Sequence, residues 1–109
     1  MTRIDPEIET MSQYLKGLSD PVRLDILRRL QVREHCVCDL TAAFDISQPA
    51  ISRHLKRLRE QSIISERRDR RWIYYRLNRE HPYYGQLEWM LRRLDTADVR
   101  SSSCTVLEI

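Results

Sequence analysis

The stretch that decides the fold lies in the middle of the chain, where residues 47–58 read Ser-Gln-Pro-Ala-Ile-Ser-Arg-His-Leu-Lys-Arg-Leu. Ser47 is a good helix N-cap, and Pro49 is tolerated in the first turn because its missing N–H would have no helical partner there. The apolar positions recur at helical spacing and predict one buried stripe made of Ile51, Leu55 and Leu58. The opposite face is polar or basic, so an amphipathic helix is predicted over residues 48–60.

Helices are also predicted on both sides of this central segment. Asp20 followed by Pro21 is typical of a capped helix start with proline in the first turn. Apolar residues at three- and four-residue spacing mark the other helices. The predicted helices cover residues 6–18, 21–31, 38–45, 48–60 and 81–96.

The apolar period changes from helical to alternating after Gln61. Ile63 and Ile64 begin one predicted strand, the charged run Glu66 to Arg71 makes a tip, and Trp72 to Leu77 returns as a second strand. Alternation of apolar and polar residues around such a tip is typical of a β-hairpin, here over residues 63–77.

The order of these elements defines the predicted fold class. Two short helices joined by a tight turn, the second basic outside and followed by a basic hairpin, predict a winged helix-turn-helix. The fold is therefore mainly α with a small β-hairpin. At 109 residues the chain has room for one small core. We expect a single domain over residues 1–97 and a flexible tail over residues 98–109.

The distribution of charge is more informative than the net charge of +3. Residues 53–79 carry ten basic and three acidic side chains, a balance of +7, whereas the segments before and after each balance to −2. A basic block between acidic flanks is typical of a phosphate-binding surface. A solvated charged face is the alternative that charge alone leaves open.

The sequence also predicts the compartment. It contains no run of 18 apolar residues, and its first ten residues lack the basic end and apolar core of a signal peptide. Three cysteines, an odd number, argue against a disulfide scaffold. We therefore expect a cytoplasmic protein with reduced thiols and no membrane partner.

Four stretches carry a resemblance to a known family. They are Leu18-Ser-Asp-Pro-Val-Arg-Leu24, Cys36-Val-Cys-Asp-Leu40, Ser47-Gln-Pro-Ala-Ile-Ser-Arg-His-Leu55 and Trp72-Ile-Tyr-Tyr-Arg-Leu77. With these stretches the chain resembles the ArsR/SmtB family of metal-sensing bacterial repressors, and the Cys-Val-Cys-Asp-Leu form is most similar to the arsenic-responsive members. The resemblance implies a homodimer built on the first and last helices, with interface residues Ile8, Met11, Leu15, Leu87, Met90, Leu91 and Leu94.

The resemblance also implies which residues contact DNA. Gln48, Ser52 and Arg53 match positions that contact DNA in the family, and the donor groups of Gln48 and Arg53 suit base edges. Phosphate contacts are expected from Lys56 and from the arginines of the hairpin, Arg67, Arg68, Arg70 and Arg71. His54 lies between the two faces of its helix, where a phosphate contact and simple packing are both open.

Cys36 and Cys38 are the candidate ligand residues. Inside a regular helix, side chains two positions apart diverge by about 200°, so the start of the third helix must distort or stay unwound if both thiolates are to bind one centre. Thiolates suit soft As(III) or Sb(III), for which three would complete a pyramidal site. Cys104 is the candidate third ligand, and an unused thiol on the tail is the alternative. Ligand binding would then compete with the DNA-binding geometry.

The chain departs from the family pattern at several positions. Thr41 stands where many arsenic-responsive members have a third cysteine, and His35 stands where leucine is usual. Glycines common after the fourth helix and at the wing tip are replaced by Ser62 and by residues 69–71.

The predicted function is an arsenite- or antimonite-responsive repressor that leaves its operator, a double-stranded inverted repeat, when the metalloid binds the cysteines. Cadmium, lead or an oxidant that joins the thiols is the alternative signal. A thiol-based metal carrier or redox protein is the alternative class. An enzyme is not expected, because the sequence contains no recognisable catalytic triad, glycine-rich phosphate loop or paired-carboxylate motif.

Overall fold

A computed structural model describes residues 3–101 of the chain. The elements in chain order are α1 (Pro6–Leu18), α2 (Pro21–Val32), β1 (His35–Cys36), α3 (Val37–Ala43), α4 (Gln48–Glu60), β2 (Ile64–Asp69), β3 (Trp72–Leu77), α5 (Tyr84–Leu91) and α6 (Ala97–Ser101). The prediction of a mainly helical fold with a small β-hairpin is confirmed.

Side-chain caps fix where three of the helices begin. Asp5 accepts a hydrogen bond from the backbone N–H of Glu7 at 2.7 Å. Asp20 accepts from the N–H groups of the second and third residues of α2 at 2.8 and 3.0 Å. Ser47 Oγ accepts from the N–H of Ala50 at 3.3 Å. These acceptors satisfy N–H groups that have no partner inside the helix, so the helices begin at residues 6, 21 and 48 as the sequence predicts.

The sheet has three antiparallel strands in the order β1-β3-β2. The hairpin of β2 and β3 was predicted, whereas β1, two residues long, was not. β1 pairs with the wing strand β3 through His35 opposite Tyr75 and Cys36 opposite Tyr74. The wing strand is therefore hydrogen-bonded on one edge to the segment that carries the first cysteine.

The first strand of the wing is longer and the tip is tighter than predicted. β2 continues to Asp69, which pairs with Trp72, so only Arg70 and Arg71 form the turn. The charged residues from Glu66 onward, predicted as a tip, extend the strand because their cross-strand neighbours on β3 are mostly aromatic and apolar. Arg70 adopts φ 59°, and Ser62 at the entrance to the hairpin adopts φ 57°.

The core is formed mainly by leucine and isoleucine side chains from α1 to α5 and the hairpin, together with Tyr14 and Tyr75. It includes the predicted stripe of α4, since Ile51, Leu55 and Leu58 are all buried. Leu87 and Leu91 are each 1% exposed, because α5 turns this face toward the interior of the subunit. Their predicted place in a dimer interface is therefore wrong.

The C-terminal part differs from the single predicted helix over residues 81–96. α5 ends at Leu91, and a separate helix, α6, follows at residues 97–101. Arg28 Nη1 lies 2.7 Å from Asp98 Oδ1, and Arg33 Nη1 donates to the carbonyl of Val99 at 3.0 Å. With Val99 fully buried, the predicted flexible tail is wrong for residues 98–101. Cys104 lies outside the described residues.

Candidate nucleic-acid interface and thiol site

The exposed face of α4 is the centre of the candidate DNA interface. Four residues separate α3 from α4, which makes the tight connection of a helix-turn-helix. Because the apolar stripe of α4 is buried, the opposite side faces solvent, where all of these predicted contact residues are exposed: Gln48, Ser52, Arg53 and Lys56. They offer amide, hydroxyl, guanidinium and ammonium donors along one helix face.

His54 has a partner inside the domain. Its Nδ1 lies 3.3 Å from Nη1 of Arg23 on α2, and Nε of the same arginine donates to the carbonyl of Gly17 at 2.7 Å. The imidazole is half-buried at this junction. Of the two possibilities that the sequence left open for His54, this geometry favours packing.

The four wing arginines occupy different environments. Arg68, Arg70 and Arg71 are exposed, whereas Arg67 is half-buried. The guanidinium of Arg67 donates to the Glu34 carboxylate through Nε at 3.3 Å and through Nη2, and its Cζ lies 4.7 Å from the centre of the Tyr74 ring. The hydrogen bonds from Arg67 lower the pKa of the Glu34 carboxyl, which keeps it ionised at neutral pH.

The two cysteines lie on either side of the junction between β1 and α3. Cys36 is extended, with φ −85° and ψ 170°, and serves as the N-cap residue of α3, while Cys38 is the second residue of that helix. The structure joins their sulfur atoms in a disulfide. Of the two expected possibilities, a distorted or an unwound start of the third helix, the structure has the second. Cys36 stays extended before α3 and turns its sulfur toward that of Cys38, while residues 37–43 remain helical.

Two titratable side chains surround the sulfur atoms. The backbone N–H of Cys36 donates to Oδ2 of Asp39 at 3.1 Å, and one carboxylate oxygen of Asp39 and the two sulfurs all lie within 4.8 Å of one another. His35 is buried, with Nδ1 3.7 Å from Asp39 Oδ2 and Nε2 3.2 Å from the Arg29 carbonyl oxygen. Burial lowers the pKa of His35, so its imidazole is neutral at neutral pH.

This arrangement limits what the site can hold. Two thiolates bind soft centres, and a carboxylate beside them suits a borderline divalent ion. Thr41, which stands where a third cysteine is common, donates through Oγ1 to the Val37 carbonyl at 2.8 Å and remains part of the helix. Sequence reasoning did not select Asp39 as a site residue. Its position as the third residue of a helix capped by Cys36 is the signal that identifies it.

Large exposed apolar side chains lie on the first and fifth helices. Ile8, Met11 and Leu15 on α1 are 61%, 43% and 52% exposed, and Met90 and Leu94 near the end of α5 are also exposed. Trp89, which the sequence analysis did not select, is 67% exposed on the same helix. Large apolar side chains left in water over two helices are typical of a protein–protein interface.

Among residues 3–101, we find no helix with the length and apolar character needed to cross a bilayer.

The fold is a helix-turn-helix made of α3 and α4, followed by a basic wing. The exposed face of α4 is basic, and the thiol pair lies at the start of α3. These features define the class of winged helix-turn-helix DNA-binding regulators. The model of the arsR family of bacterial regulatory proteins matches residues 20–66. This protein belongs to that family. The relatives that the chain matches are transcriptional regulators and not enzymes.

Individual relatives agree with this assignment. The arsenic resistance transcriptional regulator ArsR1 of Pseudomonas putida is 46% identical over 79 residues, which are 72% of this chain and 62% of that protein. The arsenical resistance operon repressor of Escherichia coli is 42% identical over 86 residues, covering 78% of this chain and 69% of that protein. Among solved structures, HlyU from Vibrio cholerae superposes with a TM-score of 0.73 at 26% identity, covering 83% of this chain and 97% of HlyU.

Proposed function

We propose that this protein is a homodimeric transcriptional repressor that releases operator DNA when As(III) or Sb(III) binds the thiols of Cys36 and Cys38. The observation that carries the proposal is the convergence of the two sulfur atoms at the N-terminus of α3, next to the DNA-reading helix. The relatives named for arsenic resistance support the same ligand.

The ligand exchange balances without a redox step. Arsenous acid, As(OH)₃, reacts with two thiols to give a dithiolate that keeps one hydroxyl on arsenic and releases two waters. A third thiol would replace the remaining hydroxyl and release a third water. Cys104 is the proposed third ligand, because three thiolates complete a pyramidal As(III) site and Cys104 is the remaining cysteine of the chain.

The position of the site supports heterotropic control of DNA binding. α3 packs directly on α4, so a ligand at the start of α3 binds a helix that contacts the proposed DNA-facing helix. A coupling of about 1–3 kcal/mol is typical and weakens binding by up to roughly a hundredfold. The exposed apolar side chains on α1 and α5 support a two-fold dimer. An inverted repeat with half-sites about 34–36 Å apart is the matching operator for such a dimer.

The direct test is fluorescence anisotropy of DNA from upstream of the gene, with reduced protein and increasing arsenite. Wild-type protein is expected to bind and then to release the DNA at thiol-stoichiometric arsenite. Cys36→Ser and Cys38→Ser are expected to bind DNA and to ignore arsenite. Cys104→Ser is the matched control for the described pair: full release would show that two thiols suffice, and partial release would assign Cys104 as a ligand. Release by arsenite from Cys36→Ser would refute the proposed site.

A second signal is favoured by one observation, the disulfide between the same two cysteines. An oxidant such as a peroxide or a diazene would take two electrons and two protons from the thiol pair and leave this disulfide. The same anisotropy assay separates the two signals. Release by diamide that dithiothreitol reverses, with no effect of arsenite, would move the function to thiol oxidation.

Divalent ions such as cadmium or lead are the remaining alternative, and the carboxylate of Asp39 beside the sulfurs is the observation that favours them. A parallel titration with cadmium on wild type and Asp39→Asn separates this case. Release by cadmium that is lost in Asp39→Asn would identify a divalent-ion sensor, whereas a metalloid sensor keeps its arsenite response in that variant.

A further inference from the structure

A row of three residues crosses the sheet from the thiol site to the wing. Cys36 on β1 lies opposite Tyr74 on β3, and Tyr74 lies opposite Arg67 on β2. Side chains directly opposite each other in antiparallel strands lie on the same face of the sheet and interact. The first cysteine, the tyrosine ring and the wing arginine therefore share one face.

Glu34 links the cysteine segment to the wing arginine at the other end of this row. It immediately precedes β1, two residues before Cys36, and its carboxylate accepts hydrogen bonds from the Arg67 guanidinium, which lies over the Tyr74 ring. Arg67 also approaches Asp69 at 3.7 Å, but that residue belongs to the same strand of the wing. Of the two acidic partners, Glu34 alone is attached to the cysteine segment.

Two features occur together in the structure: the two cysteine sulfurs are bonded to each other, and the charge of one wing arginine is neutralised by a carboxylate. With the two sulfurs bonded, Arg67 is committed to Glu34, while Arg68, Arg70 and Arg71 remain exposed. A guanidinium held by a carboxylate contributes little to a DNA phosphate contact, because the carboxylate repels the phosphate and occupies the same donors.

We propose that Glu34 is the residue that couples the thiol pair to the wing. A bridge between Cys36 and Cys38 fixes β1 where Glu34 holds Arg67 away from DNA, and free thiols let Arg67 exchange Glu34 for a phosphate. This inference rests on the proposed function. In this inference the signal passes from the thiol site to the wing through the sheet, and not through unwinding of α3. Glu34 acts as a positioning residue that touches neither the ligand nor DNA.

The chain offers a matched control for Glu34. Glu66 pairs with Arg59 at 2.8 Å, and the side chains of that pair are 36% and 46% exposed, close to the 35% and 41% of Glu34 and Arg67. Glu34→Gln and Glu66→Gln each remove one negative charge near the basic surface. General electrostatics therefore strengthens DNA binding in both variants, and only Glu34→Gln disconnects the cysteine segment from the wing.

The measured quantity is the ratio of DNA affinities without and with arsenite, determined by anisotropy in a Cys104→Ser background. Exposed ion pairs alter equilibria by up to about fivefold, so roughly threefold per wing gives about tenfold per dimer. We expect arsenite to weaken DNA binding of Glu34→Gln about tenfold less than that of wild type, and Glu66→Gln to match wild type. Titration of free thiols must show that arsenite still consumes two thiols per chain in the Glu34→Gln variant.

The outcomes separate this inference from the function on which it rests. Equal affinity ratios for Glu34→Gln, Glu66→Gln and wild type would overturn the role of Glu34 and leave the repressor intact. Failure of arsenite to release wild-type protein would overturn the proposed function. In that case the DNA affinities of each variant would be compared between the reduced and the diamide-oxidised protein. Equal ratios of these affinities in Glu34→Gln, Glu66→Gln and wild type would overturn the role of Glu34 as well.

Discussion

Ser62 has a backbone φ of 57°, in the left-handed region that glycine adopts without strain. Its N–H donates to the Arg59 carbonyl at 2.9 Å, and its own carbonyl accepts from Asn78 Nδ2 at 2.9 Å. Ser62→Gly keeps both hydrogen bonds and removes the clash of Cβ with the backbone. That clash costs roughly 1–2 kcal/mol, while the extra freedom of glycine in the unfolded chain costs about 0.5–1 kcal/mol.

The net expectation for Ser62→Gly is a free energy of unfolding higher by about 0.5–1 kcal/mol, or a Tm higher by roughly 2–8 °C for a domain of this size. Urea denaturation followed by circular dichroism measures it, at one protomer concentration because a dimer unfolds in a concentration-dependent way. The control is Ser65→Gly in the extended strand β2, which should lower stability by about 0.5–1 kcal/mol. If both glycine variants are destabilised equally, the backbone argument fails.

Three further predictions concern association, DNA binding and pH. Met11→Glu places a carboxylate on the apolar face of α1 and should convert the dimer to a monomer, as measured by light scattering. Gln13→Glu, on the opposite face of the same helix, should remain dimeric. A dimeric Met11→Glu variant would contradict the proposed interface. Lys56→Ala should flatten the slope of log affinity against log salt by about 1.8, since each of two subunits loses one phosphate contact, and an unchanged slope would exclude that contact. Burial lowers the pKa of His35 below its usual value of 6.5 in the folded protein. The unfolded chain therefore binds a proton at His35 more readily than the folded protein does. As a result, the free energy of unfolding falls as pH decreases through 6.5. His35→Leu should reduce this fall between about pH 7.5 and 5.5, leaving the part due to His81, whose pKa burial also lowers; an unchanged profile would contradict the assignment.

Local signals account for the part of the fold that the sequence predicted. Asp20 and Ser47 mark helix starts because a cap acts on N–H groups two or three residues away, and the stripe of α4 is visible in a window of one helix. The continuation to residue 96 was predicted because Leu94 extends the apolar stripe. The helix ends at Leu91, and Leu94 is left exposed.

Features that depend on distant partners were not predictable from the sequence. β1 has only two residues and exists through its pairing with β3, about forty positions later. α6 is a five-residue helix in a polar segment, and its ion pair from Asp98 to Arg28 spans 70 residues. The same limit explains the thiol site, because the extended conformation of Cys36 comes from its place in β1, which the spacing of the cysteines cannot reveal.

The two tryptophans of the chain occupy two different surfaces. Trp72 begins β3 directly after the wing tip, and Trp89 lies on the exposed apolar face of α5. Indole emission shifts to shorter wavelength when the ring leaves water. Trp72→Phe therefore leaves an intrinsic fluorophore for subunit association, and Trp89→Phe leaves one for the wing. The protein can thus report assembly and wing engagement as two separate optical signals, without an attached dye.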